Sequence, residues 1–425
     1  MAVVEDDEQI IARVAALDVG KAEVVCCVRL PAPDGGRRRV QEVTTHSTMV
    51  GSLTELANRL VTLGVERVVM EATSDYWRPP FYVFEAHGLD PWLVNARDVK
   101  HLPGRPKTDR LDAVWLCKVA ERQMLRPSFV PPHDIRRLRD LTRYRVDLIA
   151  ARTADKNRVE KLLEDACIKV SVVVSDLFGV SGRAMLAAIL AGERDPKRLA
   201  NLAKARLRLK LGQLEEAFAG LAIGTFTAHH AFLLTTMLDR IDRTSVDITT
   251  LDTHIEALLA PFADTVARID EIPGIGITGA AAILAEIGLD MTRFPTPGHL
   301  CSWARFAPGI KASAGKTKGN GATGRGNPYL ARTLGDVVTG AARTNTFLGA
   351  RYRRIARRRG PNKAVVAVGR SILVIIWHLL TNPDLRFHDL GADHYDQHAN
   401  PARATRGHVK ALEALGYQVT LAPAA

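Results

Sequence analysis

The chain has 425 residues, 47% of them apolar and 24% charged, with a net charge of +12. That length and apolar content suffice for two or three packed domains and exclude a wholly disordered chain, a collagen-like repeat and a disulfide-stapled miniprotein. The charge is concentrated: Cys301 to Arg370 holds fifteen Lys and Arg and one acid, Asp336, leaving 43 basic and 45 acidic residues elsewhere. A localised cationic segment attracts polyanions and releases the counterions condensed on nucleic acid, whereas a solubilising face mixes signs.

The first third alternates strands and helices. Arg13–Leu30 reads as two β-rich runs around Asp18-Val19-Gly20-Lys21, and Arg38–His46 pairs as a third strand after the Asp34-Gly35-Gly36 turn. Ser52–Leu63 has helical spacing, and Glu66–Met70 is a short buried strand ending at Glu71. Tyr76–His87 reads as helix and Pro91–Asn95 as strand, and a loop, Arg97–Lys107, leads into a helix from Asp109 to Arg122. The pattern predicts a mixed sheet flanked by helices. Pro131-Pro132 marks a boundary, and Ile135 to Ile269 is almost entirely helical, with long amphipathic helices over Arg136–Glu164 and Ser245–Leu259 and one ambiguous run, Val170–Val174. A helical hairpin, a coiled-coil arm and a plain bundle all fit this stretch. From Ile272 come a Gly-punctuated helix pair, a Gly/Lys-rich loop (Gly309–Asn327), a helix (Tyr329–Arg343), a basic helix (Phe347–Arg359) and, after Pro361, an apolar helix to Leu380. The expected organisation is 10–130, 131–268, 269–385 and a loosely held tail, 386–425.

The longest apolar run, Ala364–Leu380, is interrupted by Gly369, Arg370 and His378, so no membrane span is expected. The N-terminal MAVVEDDEQI has no apolar signal core, and the five cysteines lack metal-type spacing, which points to free thiols in a reducing cytoplasm.

Three groups of residues carry chemistry. Asp18 and Glu71 each end a strongly apolar strand, where an unpaired charge is costly, and Asp109 and Asp112 share one face of a helix start. Four hard oxygen ligands meeting at one sheet edge repel unless a divalent cation such as Mg²⁺ lies between them, and metal pairs clamp the oxygens of a phosphoryl transfer. Next, Ile272-Pro273-Gly274-Ile275-Gly276 precedes a helix. A helix rather than a strand leads in, so a dinucleotide fingerprint is rejected. A helix-hairpin-helix offering the backbone around Gly274 and Gly276 to a phosphate, and a tight corner that binds nothing, are the remaining readings. Finally, Gly315-Lys316-Thr317 fails the P-loop spacing because Ile310 stands where glycine is required. What remains is Ser313 among Lys311, Lys316, Lys318 and Arg325, cations suited to the charge that grows when a hydroxyl attacks a phosphodiester. The helix RYRRIARRR, with Arg351, Arg353, Arg354, Arg357, Arg358 and Arg359, is the candidate nucleic-acid-binding surface.

Together LDVGK at Asp18, MEATSDYW at Glu71 and KTDRLDA at Asp109 and Asp112 resemble the first domain of DEDD-type insertion-sequence transposases, whose fold is RuvC-like. IPGIGITGAAAILAEIG, the Ser313 stretch and GNPYLARTL resemble the C-terminal transposase domain of the same one-ten family, the bridge-RNA-guided serine recombinases. The resemblance implies a metal tetrad of Asp18, Glu71, Asp109 and Asp112 holding Mg²⁺, and Ser313 as a nucleophile that becomes joined to DNA, although Ala314 stands where the family often has glycine. It further implies donor and target DNA and a structured non-coding RNA as partners, a homodimer or tetramer, and work at the bacterial nucleoid in the cytoplasm. A junction resolvase or nuclease using the same acids and water, and a non-enzymatic nucleic-acid-binding protein, are the rival readings.

Overall fold

The computed structural model describes residues 10–33, 38–72, 74–95, 108–309, 311–313, 316–318, 323–324, 326–397 and 401–422. The chain divides into two units, Met1–Val130 and Pro131–Ala425.

The first unit runs β1 (Val14–Val19), β2 (Glu23–Pro31), β3 (Arg39–Ser47), α1 (Val50–Thr62), β4 (Arg67–Glu71), α2 (Arg78–Ala86), β5 (Pro91–Val94), α3 (Asp109–Glu121). The Arg97–Lys107 loop lies outside the described residues. The sheet order is β3-β2-β1-β4-β5. Only three residues join β1 to β2, so the pair is an antiparallel hairpin, and β3 adds antiparallel to β2. The helical crossovers α1 and α2 bring β4 and β5 in parallel to β1.

Strand alternation gives the sheet two buried faces. Ala15, Leu17, Val19, Val68 and Met70 form one core with α1, whose Leu53, Leu56, Ala57 and Leu60 follow helical spacing. Val14, Ala16, Cys27 and Val69 form the other with Ala113, Leu116, Cys117 and Ala120 of α3. Helix α3 runs antiparallel to β1: the Ile11 amide donates to the Glu121 carbonyl (3.0 Å), and the Cys117 thiol lies against the carbonyls of Val14 and Cys27. The buried Glu121 carboxylate pairs with Arg29 (2.9 Å) and Arg39, which fixes this end of the helix.

In the second unit α4 (His133–Asp165) leads into four short helices, α5 (Val170–Val173), α6 (Val180–Leu190), α7 (Pro196–Ala200) and α8 (Leu211–Ala217), followed by α9 (Ala219–Ala222). The ambiguous run at Val170 is thus helical, the β-branched propensity yielding to burial of Val170. Helix α10 (Ala228–Leu259) returns antiparallel to α4, shown by Arg145–Asp252, Arg152–Ser245 (3.1 Å), Asp155–Arg240 (3.2 Å) and Asp165–His230 (3.0 Å). The two long helices contribute to two separate cores. Val159, Leu163, Leu234 and Leu238 belong to a small core with the short helices, whereas Leu138, Ile255 and Leu259 belong to the C-terminal core. Between them the pair spans a neck whose buried Asp155 is bound by Arg158 (2.6 Å) and Arg240. The middle of the chain is therefore a helical hairpin carrying a small bundle.

The C-terminal core is built from α11 (Ala263–Asp270), α12 (Ile277–Ile287), α13 (Pro297–Trp303), α14 (Pro328–Ala342), α15 (Phe347–Arg359) and α16 (Pro361–Thr381). Helix α16 has the length and apolar character of a membrane span. Here Val368, Ile372, Leu373, Ile376 and Leu379 bury its stripe in the core. The segment read as a plain loop contains a two-stranded hairpin, β6 (Lys311–Ser313) and β7 (Lys316–Lys318). The start of the tail is anchored, with Arg386 and the Phe387 amide (3.2 Å) binding the Glu271 carboxylate, whereas the described residues of α18 (Pro401–Ala414), after α17 (His394–Gln397), are almost all exposed.

Cys26, Cys27, Cys117 and Cys301 are buried free thiols, and Cys167 is exposed. Burial, with the adjacent Cys27, pushes the Cys26 thiol up to about 12. Since the thiolate is the nucleophile, native alkylation with iodoacetamide at neutral pH is expected to modify Cys167 and leave the other four until denaturant is added, as read by peptide mass spectrometry.

Candidate active site and nucleic-acid interface

The first-unit site follows from register. β1 and β4 pair in parallel up to Leu17 opposite Met70, so Asp18 and Glu71 are the next residues on neighbouring strands. By alternation, both share the α3 face with Val14, Ala16 and Val69. Both are half-buried. Helix α3 descends along β1 from the Glu121 end. From Cys117, beside Val14, the helix rises about 12 Å to Asp109, while β1 rises about 13 Å from Val14 to Asp18. The first turn of α3, which carries Asp109 and Asp112, thus reaches the level of Asp18. Asp18 and Glu71 thus share one end and one face of the sheet, and α3 runs toward that end with Asp109 and Asp112 in its first turn. Among the described residues, no three His, Cys, Asp or Glu side chains form a group able to hold a metal ion. The four side chains carry hard carboxylate oxygens of the kind Mg²⁺ prefers.

In the second unit Ser313 ends β6 and stands in register with Lys316, the first residue of β7, while Lys311 is in register with Lys318. Arg325 lies outside the described residues. The base of this hairpin segment is pinched shut. Phe306 is buried in the core. A Cβ on Gly326 would come within 2.8 Å of the Arg305 side chain, so only glycine lets the two ends of the segment meet there. Next along the chain, Asn327 caps α14: its carbonyl oxygen accepts from the amides of Tyr329 (3.0 Å) and Leu330. Its amide nitrogen donates to Glu286 (2.5 Å).

Glu286 is the centre of a network that sequence reasoning missed. It is 2% exposed, bound bidentately by Arg143 (2.7 and 2.8 Å) and approached by Arg139, which also donates to the carbonyls of Ala285 and Glu286 at the end of α12. Burial alone would lower the Arg143 guanidinium, yet the hydrogen bond and charge of Glu286 raise it above its ordinary value. Tyr329 donates to Asp147 (3.1 Å), and Arg143 lies over its ring (4.9 Å). The foot of α4, the end of α12 and the start of α14 are therefore tied at the C-terminal side of the serine hairpin. One signal was visible: Glu286 is the lone charged residue in ITGAAAILAEI.

The glycine corner lies between α11 and α12. Gly274 has φ +90°, and a Cβ there would come within 2.4 Å of the Val337 carbonyl oxygen on α14. It serves close helix packing. Gly276 caps α12 with open space around it, and both glycines of the corner are exposed. On α15, Arg353 donates to the carbonyls of Ala342 and Thr344 (both 3.0 Å), neutralising the C-terminal end of α14. Arg351 donates to the Tyr395 hydroxyl (2.7 Å), while Arg354, Arg357, Arg358 and Arg359 are exposed.

Two family models match the chain. A DEDD-type IS110 model, described as "Transposase", matches residues 15–168, and one described as "Transposase IS116/IS110/IS902 family" matches residues 266–353. The chain belongs to this transposase family. It is 25% identical over 341 residues to the transposase for insertion sequence element IS1111A of Coxiella burnetii, covering 78% of this chain and 82% of that protein. It is 26% identical over 394 residues to the insertion element IS900 42 kDa protein of Mycobacterium paratuberculosis, covering 86% and 95%. A probable family 20 transposase of Pseudomonas aeruginosa shares 24% over 294 residues, 68% and 76% of the two chains. The transposase is an enzyme that cuts and rejoins DNA. Asp18, Glu71, Asp109, Asp112 and Ser313 all fall inside the matched segments, as does Glu286.

Replacing Glu286 with Ala leaves two arginines beside an apolar hole and removes the anchor of Asn327. The expected loss is about 3 kcal/mol, measured by urea unfolding. Gly274→Ala is expected to cost about 2 kcal/mol or more, because it combines a left-handed φ with a backbone overlap. Gly276→Ala should melt within a degree or two of the parent.

Proposed function

We propose that this transposase acts through a serine–DNA intermediate formed by Ser313, with the four acids as its Mg²⁺ site and a structured non-coding RNA choosing the donor and target DNA. The observation that supports the reading is that Asp18 and Glu71 end neighbouring parallel strands of the β3-β2-β1-β4-β5 sheet, while Asp109 and Asp112 open the helix that runs antiparallel along β1. That strand order, with three antiparallel and two added parallel strands, supports a RuvC-like first unit. Bound by these carboxylates, Mg²⁺ would offset the negative charge on the phosphate oxygens.

The Ser313 hydroxyl attacks a backbone phosphorus, a serine Oγ–P bond forms, and the P–O bond to the neighbouring sugar breaks to leave a free hydroxyl. The phosphoserine keeps the energy of the broken bond, so a hydroxyl of the other strand closes the reaction by displacing the serine without ATP. The serine's proton must leave for an acceptor. The hairpin residues around Ser313 are lysines, threonine and small residues, so the acceptor comes from outside the hairpin. The lysines Lys311, Lys316 and Lys318 supply positive charge to the phosphate. Guide-RNA pairing would delegate sequence choice to base pairs, leaving the protein to hold backbone and shape. Rejoining two duplexes asks for more than one active site, in keeping with a dimer or tetramer working on nucleoid DNA in the bacterial cytoplasm.

Ser313→Ala is expected to fold and bind nucleic acid yet form no protein–DNA adduct that survives boiling in detergent. An adduct in that variant, or recombination at the parental rate, would transfer the chemistry to water. Asp18→Asn is expected to reduce recombination by at least about a hundredfold while nucleic-acid binding persists. Full activity in that variant would remove the acids from the site.

A further inference from the structure

The arginines of α15 are not equivalent, and their arrangement goes beyond a diffuse basic surface. Arg351, Arg354, Arg358 and Arg359 fall on one stripe of the helix, together with Ile355, and line a cavity of about 280 Å³ whose remaining wall is Tyr395. Tyr395 belongs to α17, 42 residues beyond the end of the second matched segment. It holds two of the arginines in different ways. Its hydroxyl accepts from Arg351 Nη1 at 2.7 Å, and the Arg354 guanidinium lies 4.4 Å from its ring centroid. Tyr395 is itself stacked on Phe347, at 5.3 Å and 20°. Phe347 is anchored in turn, its amide donating to Asp389 (3.0 Å).

Four guanidinium groups around one small cavity repel one another. Among the described residues none of the four makes an ion pair with an acid, and the buried Nε of Arg351 has no hydrogen-bond partner. Arginines that only confer solubility sample many rotamers. Two of these are fixed in advance by an uncharged aromatic residue, so binding an anion there costs less ordering entropy. Fork-shaped guanidinium donors around a concave site suit the oxygens of a phosphate group.

We propose that Arg351, Arg354, Arg358 and Arg359, preorganised by Tyr395 of the tail, form a pocket for a backbone phosphate of the nucleic acid bound by the transposase. The inference deepens the proposed function and rests on it only for the identity of the polyanion. The shared ligand chemistry is the phosphodiester, supplied by RNA or by DNA.

The test uses the full chain and fluorescence anisotropy over a salt series, with a labelled mixed-sequence single-stranded RNA in one arm and a labelled DNA duplex in the other. Replacing Arg354 and Arg358 together with Gln is expected to flatten the slope of log K against log salt by about 0.7 to 0.9 per lost phosphate contact. The decisive variant is Tyr395→Ala, which removes no charge. If the pocket is preorganised, its affinity falls about tenfold in the arm whose strand occupies the pocket, and Tyr395→Phe, which keeps the ring, loses less. A loss in the RNA arm alone assigns the pocket to RNA, a loss in the DNA arm alone to DNA, and equal losses to both. Parental affinity for Tyr395→Ala in both arms, with only the arginine variant weakened, would overturn the pocket in favour of diffuse attraction. Should Tyr395→Ala fail to fold, Tyr395→Phe decides: it still frees Arg351, and parental binding in both arms overturns the proposal. The Ser313 adduct is scored separately, so failure of the pocket leaves the serine reading standing, and failure of the adduct leaves the binding slopes interpretable.

Discussion

A carboxylate taken out of water must be paired, and this transposase uses that requirement three times. Glu121, Asp155 and Glu286 are its buried acids among the described residues, and each is bound by two arginines. Arg29 and Arg39 reach Glu121 from β2 and β3, Arg240 reaches Asp155 from the returning long helix, and Arg139 and Arg143 reach Glu286 from the foot of the outgoing one. Such clusters are weak sources of net stability, because desolvation offsets much of the attraction. They are strong sources of register, since a shift by one residue leaves a bare charge in the interior.

Each cluster sits where a functional element needs a defined position. Glu121 fixes the far end of α3, and the length of the helix then carries Asp109 and Asp112 to the level of Asp18. Asp155 holds the neck of the helical hairpin where apolar packing is thin, between two cores that do not meet. Glu286 receives Asn327 and so ties down the chain where it leaves the serine hairpin, while Gly326 and Arg305 close the same base. The catalytic candidates are thus carried on short edges and hairpins, and the buried ion pairs behind them supply the rigidity.

The basic segment also divides its labour. Arg353 answers the carbonyls at the end of α14, a structural duty with no exposure to a ligand required. The stripe beginning at Arg351 faces the tail, where a tyrosine fixes the guanidinium groups. Composition alone scored these arginines as one patch, because net charge carries no information on which face of a helix is already occupied.

Much of the first unit was legible in the order of residues. The apolar runs ending at Asp18 and Glu71, the short β1–β2 turn and the helical spacing of α1 are local patterns, and local patterns survive in sequence because they obey the two-residue and 3.6-residue periods of the backbone. The family motifs were legible for the same reason, being contiguous. The return of α10 along α4 was one of several readings that the sequence left open, and hidden from it were other features made by residues far apart: the hairpin within a Gly/Lys-rich segment, the packing role of Gly274 and the docking of the tail through Arg386 and Tyr395. Glu286 shows the boundary most clearly. Its sequence marked it as an odd charge in an apolar helix, but only the fold could supply Arg139, Arg143 and Asn327 as partners, because pairing a buried charge depends on which distant surfaces meet.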